Sequence, residues 1–191
     1  LGIGFFPIGM STVLFLQKNE FLTNLGSAEQ MKEEAAYLRR YFELPFGIHW
    51  YHWNDMKSKG WPHFYPKDFV VRMNEEIRRA GVYTMPYIDS RLWQINDGPN
   101  HTDYMYRSHG LKYAVKNADG SLNNENYGKN QVFTVMCPGA EGWRNWMAGL
   151  TERVASYGFD AIYHDQVGTA APKLCFDKSH GHFLNDGAVW L

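Results

Sequence analysis

The sequence predicts an α/β chain, the N-terminal half of a (β/α)8 TIM barrel with a long insertion after its third strand. Three observations carry this reading. Short apolar runs begin at Thr12, Gly47 and Val82, 35 residues apart each time, with amphipathic stretches between them. One strand, one helix and two short loops fill such an interval, the signature of a parallel sheet built from βαβ units. The chain has 191 residues, whereas a closed barrel takes about 250. Finally, no glycine-rich phosphate turn follows the first run, which argues against a doubly wound nucleotide-binding sheet.

The first strand is read at residues 12–17 (TVLFLQ). Its helix starts at Ser27, which with Gln30 has the capping-box form, and Met31, Ala35, Leu38 and Phe42 recur at helical spacing. The second strand covers 47–53 (GIHWYHW). A second helix follows from about Lys67, with Phe69, Val70, Met73, Ile77 and Ala80 on one face and Gly81 placed to end it. The third strand is 82–88 (VYTMPYI). A third helix carries Trp143, Trp146, Met147, Leu150 and Val154, closes at Gly158 and leads into a fourth strand at 159–164 (FDAIYH). From Val82 to Phe159 the interval is more than twice the repeat, so an insertion occupies about 89–141. It is rich in Asn, Gly, Asp and Tyr, with one short strand at 132–136. Loops of this length usually act as lids or site walls. Residues 1–191 thus read as one partial domain whose C-terminal half is absent.

Composition narrows the function classes. Lys plus Arg number 19 against 20 Asp plus Glu, a net charge of −1, which argues against a nucleic-acid partner, since a phosphate-binding face leaves a basic excess. Residues 1–17 carry no charge but contain Pro7 and three glycines and lack a basic start, so they read as barrel strand rather than targeting segment or membrane span. Cys137 and Cys175 make neither a disulfide framework nor a paired CxxC motif. With 7 Trp, 12 Tyr and 12 Phe, the chain needs either a large core or a site lined with flat apolar faces.

In parallel α/β architectures the reactive groups gather where strands end. The second strand ends in Trp53, Asn54 and Asp55, the third in Asp89, Arg91 and Trp93, and the fourth in Asp165 and Gln166. Asp165, after an apolar strand, is placed to attack a sugar's anomeric carbon or accept a proton; the alternative is an Asp that caps the following loop. Asp89, Arg91 and Trp93 alternate and can face one side, offering hydrogen bonds to vicinal hydroxyls and an indole to stack on a pyranose; alternatively Asp89 pairs with Arg91 and Trp93 is core. His49, Tyr51 and Trp53 share one strand face, Trp50 and His52 the other, so one set must be packing. His180 and His182 have an H-x-H spacing, with His164, Asp165 and Asp177 near in sequence. That pair lies in a loop, however, where a hydrolytic metal barrel would have it on an early strand, so the predicted site holds no metal and no cofactor. Asn100, His101 and Thr102 form a glycosylation sequon, which matters only in a secretory context.

The segments LPFGIHWYHW, FYP, AGVYTMPYIDSRLW, VMCP, GFDAIYHDQV and LCFDKSHGH, in this order, resemble a family of glycoside-hydrolase-like TIM barrels catalogued mainly as a domain of unknown function. The resemblance covers roughly residues 44–190. It implies kinship with the α-galactosidase and α-glucosidase group of retaining glycosidases, a carbohydrate substrate, Asp165 as nucleophile and an acid/base carboxylate from a later strand, beyond Leu191. It further implies that Arg91, Trp93, His180 and His182 line the sugar subsite. The 191-residue chain by itself is expected to be inactive, because a half barrel leaves sheet edges unpaired. The competing readings are a carbohydrate-binding barrel without catalysis and a metal-dependent hydrolase.

Overall fold

The structure is a computed structural model describing residues 33, 36, 40, 47–51, 53–55, 60–95, 104–128 and 131–184. The strand read at 12–17, the capping box at Ser27, residue His52 and the sequon at Asn100 lie outside these residues. Of the first helix, Glu33, Ala36 and Arg40 are described, and all three are helical. In chain order the elements are β1 (Gly47–Trp50), α1 (Val70–Arg79), β2 (Tyr83–Asp89), β3 (Leu92–Gln94), β4 (Asn124–Asn126), β5 (Val132–Val135), α2 (Glu141–Ala155) and β6 (Tyr163–Asp165). Strands β1, β2 and β6 form one sheet in the order β1-β2-β6, and β3, β5 and β4 form another in the order β3-β5-β4. The chain divides into two compact units: Leu1–Asp55, Tyr65–Tyr87 and Arg153–Tyr163 in the first, and Met56–Phe64, Ile88–Glu152 and His164–Leu191 in the second.

The first unit contains the predicted βαβ step. Gly47 to Trp50 pair with Tyr83 to Pro86 in parallel, and α1 makes the crossover that such pairing requires. On α1, Val70, Met73, Asn74 and Ile77 are buried, at the i, i+3, i+4, i+7 spacing of one helix face. Arg78 and Arg79 occupy the last turn, where the helix dipole favours cations. Gly81 and Gly158, at φ 80° and 83°, follow the two helices in the left-handed conformation that glycine adopts without a Cβ penalty. Thr84 joins α1 to the segment that follows α2: its hydroxyl donates to Asn74 Oδ1 at 2.5 Å, and its backbone N donates to Asp160 Oδ2 at 2.9 Å. Trp50 and Trp53, both 0% exposed, set their rings edge-on to Phe159.

The fourth strand is shorter and later than its apolar run suggests. Asp160 N and Ala161 N both donate to the Thr84 carbonyl, so this stretch loops under β2 and only Tyr163–Asp165 is extended as a strand. Likewise β1 ends at Trp50, because the chain turns at Trp53.

In the second unit, the insertion is not a bare loop. It contains an antiparallel sheet in which β5 pairs with β3 (Trp93 opposite Thr134) and with β4 (Asn124 opposite Thr134). Its apolar face is built around Leu92, Trp93, Val115, Phe133, Met136 and Trp143. A Cβ on Gly110 would lie 2.7 Å from the Trp93 ring, so this contact depends on a residue without a side chain. Among the described residues no helix is long and apolar enough to cross a membrane.

Candidate active site

Asp89, the last residue of β2, is 0% exposed. Its Oδ1 accepts hydrogen bonds from the backbone amides of Arg91 at 2.9 Å and Leu92 at 2.8 Å, which closes the turn from β2 into β3. Asp89 thus caps the turn that follows its own strand. Its Oδ2 is buried with no hydrogen-bond partner among the described residues. Desolvation raises its pKa to about 7, against the pull of the two amides, and the Asp165 charge adds to the rise.

Arg91 does not pair with the Asp89 side chain. Its guanidinium reaches Glu125 on β4: Nη1 donates to Oε2 at 3.0 Å, and Nη2 donates to Oε1. Nη1 also donates to Gln166 Oε1 at 2.7 Å. The Tyr127 hydroxyl donates to Glu125 Oε2 at 3.1 Å. Burial works against the Arg91 charge, but Glu125 outweighs it and raises the pKa further. Arg91 in turn holds the Glu125 carboxyl below its ordinary range. Arg91, Glu125, Tyr127 and Gln166 line one side of a cleft of about 320 Å³ completed by Thr169, Ala170, Ala171 and Lys173.

Asp165 is half-buried and ends β6, and its carbonyl accepts from Ser90 N at 3.4 Å. The next residue, Gln166, has φ 68°, a conformation costly for a residue with a Cβ. The sharp turn there swings the Gln166 amide onto Arg91. The residue after Asp165 thus accepts a hydrogen bond from Arg91, and the cleft combines a cation, a carboxylate and a phenol.

The tryptophans behave differently from the expectation of stacking platforms. Trp53 is 0% exposed and its Nε1 donates to the Tyr87 carbonyl at 2.7 Å. Trp93, also 0% exposed, donates to the Tyr104 carbonyl at 3.0 Å and packs against Trp146 and Trp143 with ring centroids 4.7 and 5.9 Å away. Neither indole presents a face to solvent, because each covers core surface and satisfies its N–H inside. Asn54, buried, bridges to Pro66, and Asp55 donates its amide to the Tyr65 carbonyl at 2.8 Å. His180 and His182 are not among the residues lining the Arg91 cleft. They lie against Cys175 and Cys137, with His180 Nδ1 3.4 Å from Cys175 Sγ and His182 Nε2 3.2 Å from Cys137 Sγ. Glu125 and Tyr127, which complete the cleft, carry no sequence signal: they sit in a polar segment, NENY, whose pairing with β5 alone brings them to Arg91.

The α/β fold is shared with solved glycosidases. The fold is similar to that of the α-N-acetylgalactosaminidase NagBb from Bifidobacterium bifidum, at TM-score 0.62 and 14% identity over 81% of this chain and 24% of that one. It is also similar to the α-galactosidase TtGalA from Thermus thermophilus, at TM-score 0.54 and 18% identity over 74% of this chain and 29% of that one. The chain belongs to the family described as Domain of unknown function (DUF6259), whose model matches residues 11–191. A protein of Bacteroides thetaiotaomicron named "Putative glycoside hydrolase" is 29% identical over 86% of this chain, and a similarly named protein of Monosiga brevicollis is 25% identical over 80%. The chain spans 24% and 14% of the length of these two relatives.

Proposed function

We propose that this chain is the N-terminal half of a (β/α)8 barrel in a retaining glycoside hydrolase, with Asp165 as the nucleophile. The observation that carries the reading is Asp165 itself, a half-buried carboxylate on the last residue of a sheet strand, at the turn that joins the strand end to the Arg91–Glu125–Gln166 cleft. The names of the relatives and the glycosidase-like fold support the same class of chemistry. In the reaction, the Asp165 carboxylate attacks the anomeric carbon as the glycosidic bond breaks, and the proton for the leaving oxygen comes from an acid/base carboxylate outside this chain; water then releases the sugar with retained configuration. Arg91, Glu125 and Gln166 bind and orient the sugar hydroxyls through the cleft.

The test uses the full-length protein with aryl α-galactoside and α-N-acetylgalactosaminide substrates, the sugars named for the two similar structures. Asp165→Asn should lower kcat by roughly a thousandfold or more, and a fluorinated substrate should leave a glycosyl adduct on the Asp165 peptide, read by mass spectrometry. Wild-type turnover by Asp165→Asn would exclude the nucleophile assignment.

A further inference from the structure

Four side chains from two segments of the sequence, Cys137 in one and Cys175, His180 and His182 in the other, converge in the second unit. The ligand-type atoms of Cys137, Cys175, His180 and His182 all lie within 4.8 Å of one another. A tetrahedral zinc ion with bonds of 2.0 to 2.3 Å sets its ligands about 3.3 to 3.8 Å apart. Of the two sulfur–nitrogen contacts, the one at 3.4 Å falls in this range and the one at 3.2 Å lies just below it, and the widest separation, within 4.8 Å, exceeds it by at most about an ångström. From these residues we infer that Cys137, Cys175, His180 and His182 form a structural Zn²⁺ site of the Cys2His2 type.

The groups around the four ligands favour the same assignment. His180 Nε2 lies 2.9 Å from the Lys112 carbonyl and His182 Nδ1 lies 2.7 Å from the Phe183 carbonyl. A carbonyl only accepts, so each of these nitrogens carries the proton. In the neutral ring, the nitrogen facing sulfur is then left as a lone pair. This is the outer-shell pattern that orients histidine for metal binding. Two thiolates and two neutral imidazoles cancel the charge of Zn²⁺, so the site can sit where it does, with both cysteines 0% and His180 6% exposed.

The burial argues against other uses of these residues. A thiol with no exposed surface cannot serve as a nucleophile, and four protein ligands leave no open coordination position for substrate. The role is a staple. The segment from Cys175 to His182 has a single 3-10 turn, Lys178–His180, as regular structure, and Zn²⁺ would tie it to Cys137, two residues past the end of β5. Gly139 allows the close approach, since a Cβ there would fall on the His182 ring. The inference is independent of the glycosidase reading.

The test is made on full-length protein purified under reducing conditions without a metal column. After chelation it is titrated with ZnCl2 against a chromogenic chelator, and with Co²⁺ in place of Zn²⁺. About one tight Zn²⁺ per chain is expected to depend on this cluster, together with a tetrahedral Co²⁺ spectrum that includes a sulfur-to-cobalt charge-transfer band. Cys175→Ser and His182→Ala should each weaken that Zn²⁺ by more than about a hundredfold, while His109→Ala leaves it unchanged. Should the variants fail to fold, the wild-type Co²⁺ spectrum decides: no sulfur charge-transfer band overturns the site. A Cys137–Cys175 disulfide in the non-reduced peptide map, or Zn²⁺ retained in both variants, overturns it as well. The Asp165→Asn protein should keep its zinc whatever its turnover, so the two readings fail separately.

Discussion

Arg91 grips Glu125 with both terminal nitrogens of its guanidinium, although the carboxylate of Asp89 stands only two residues away in sequence. Asp89 is occupied by backbone amides, so the cation turns instead to a carboxylate 34 residues on, across the β3-β5-β4 sheet. The result is a buried cation whose charge is balanced by a partly exposed acid at the mouth of a cleft. Removing one partner should strand the other. Arg91→Met is expected to destabilise the protein by about 2 kcal/mol or more, and a double-mutant cycle with Glu125→Gln should give a coupling of about 1 to 3 kcal/mol. Additive losses in urea unfolding would mean that the fork contributes nothing.

Asp89 makes stability depend on pH. Its carboxyl titrates near 7 in the folded chain instead of near 3.8, so folding takes up a proton between these values. The favourable contribution is fully present below the unfolded pKa and is lost as pH rises through 7. Asp89→Asn keeps the acceptor for the two amides and carries no charge. It should be more stable than wild type at pH 8 by on the order of 2 to 4 kcal/mol, with the difference vanishing near pH 4. Parallel stability profiles from pH 4 to 8 would contradict the assignment.

Asp160 contributes through a hydrogen bond more than through an ion pair. It accepts from Thr84 N at 2.9 Å and pairs with Arg78 at 2.9 Å, but the Arg78 side chain is 46% exposed, and exposed pairs are worth little. Asp160→Ala should therefore cost about 1 to 2 kcal/mol, and Asp160→Asn, which retains an acceptor, clearly less. Equal losses in the two variants would reverse this ranking.

Two glycines should respond in opposite directions to the same change. Around Gly149 in α2 an added Cβ meets nothing within 4 Å, whereas at Gly110 it meets the Trp93 ring at 2.7 Å. Gly149→Ala is expected to stabilise by about 0.5 to 1 kcal/mol, and Gly110→Ala to destabilise by about 1 to 3 kcal/mol. Thermal unfolding of the pair is the measurement; stabilisation by Gly110→Ala would show that the ring moves freely.

The sequence by itself determined the elements whose signals are local. The i, i+3, i+4, i+7 face of α1, the Gly81 and Gly158 stops, the parallel partner runs at Gly47 and Val82, and β5 within the insertion all follow from periodicity and backbone preference over neighbouring residues. Asp165 at a strand end was readable in the same way. Tertiary structure alone decided the rest, because it depends on groups far apart in the chain. Strands β3 and β4 have three residues each and exist only through pairing with β5. Glu125 gains a role only when that pairing carries it to Arg91. Trp53 and Trp93 look identical in sequence whether they face a sugar or a core, and burial with an internal acceptor for each N–H settled them as core. Cys137 and Cys175, unpaired by any spacing rule, meet His180 and His182 because the loop after β6 returns to the end of β5, a closure that no local pattern records.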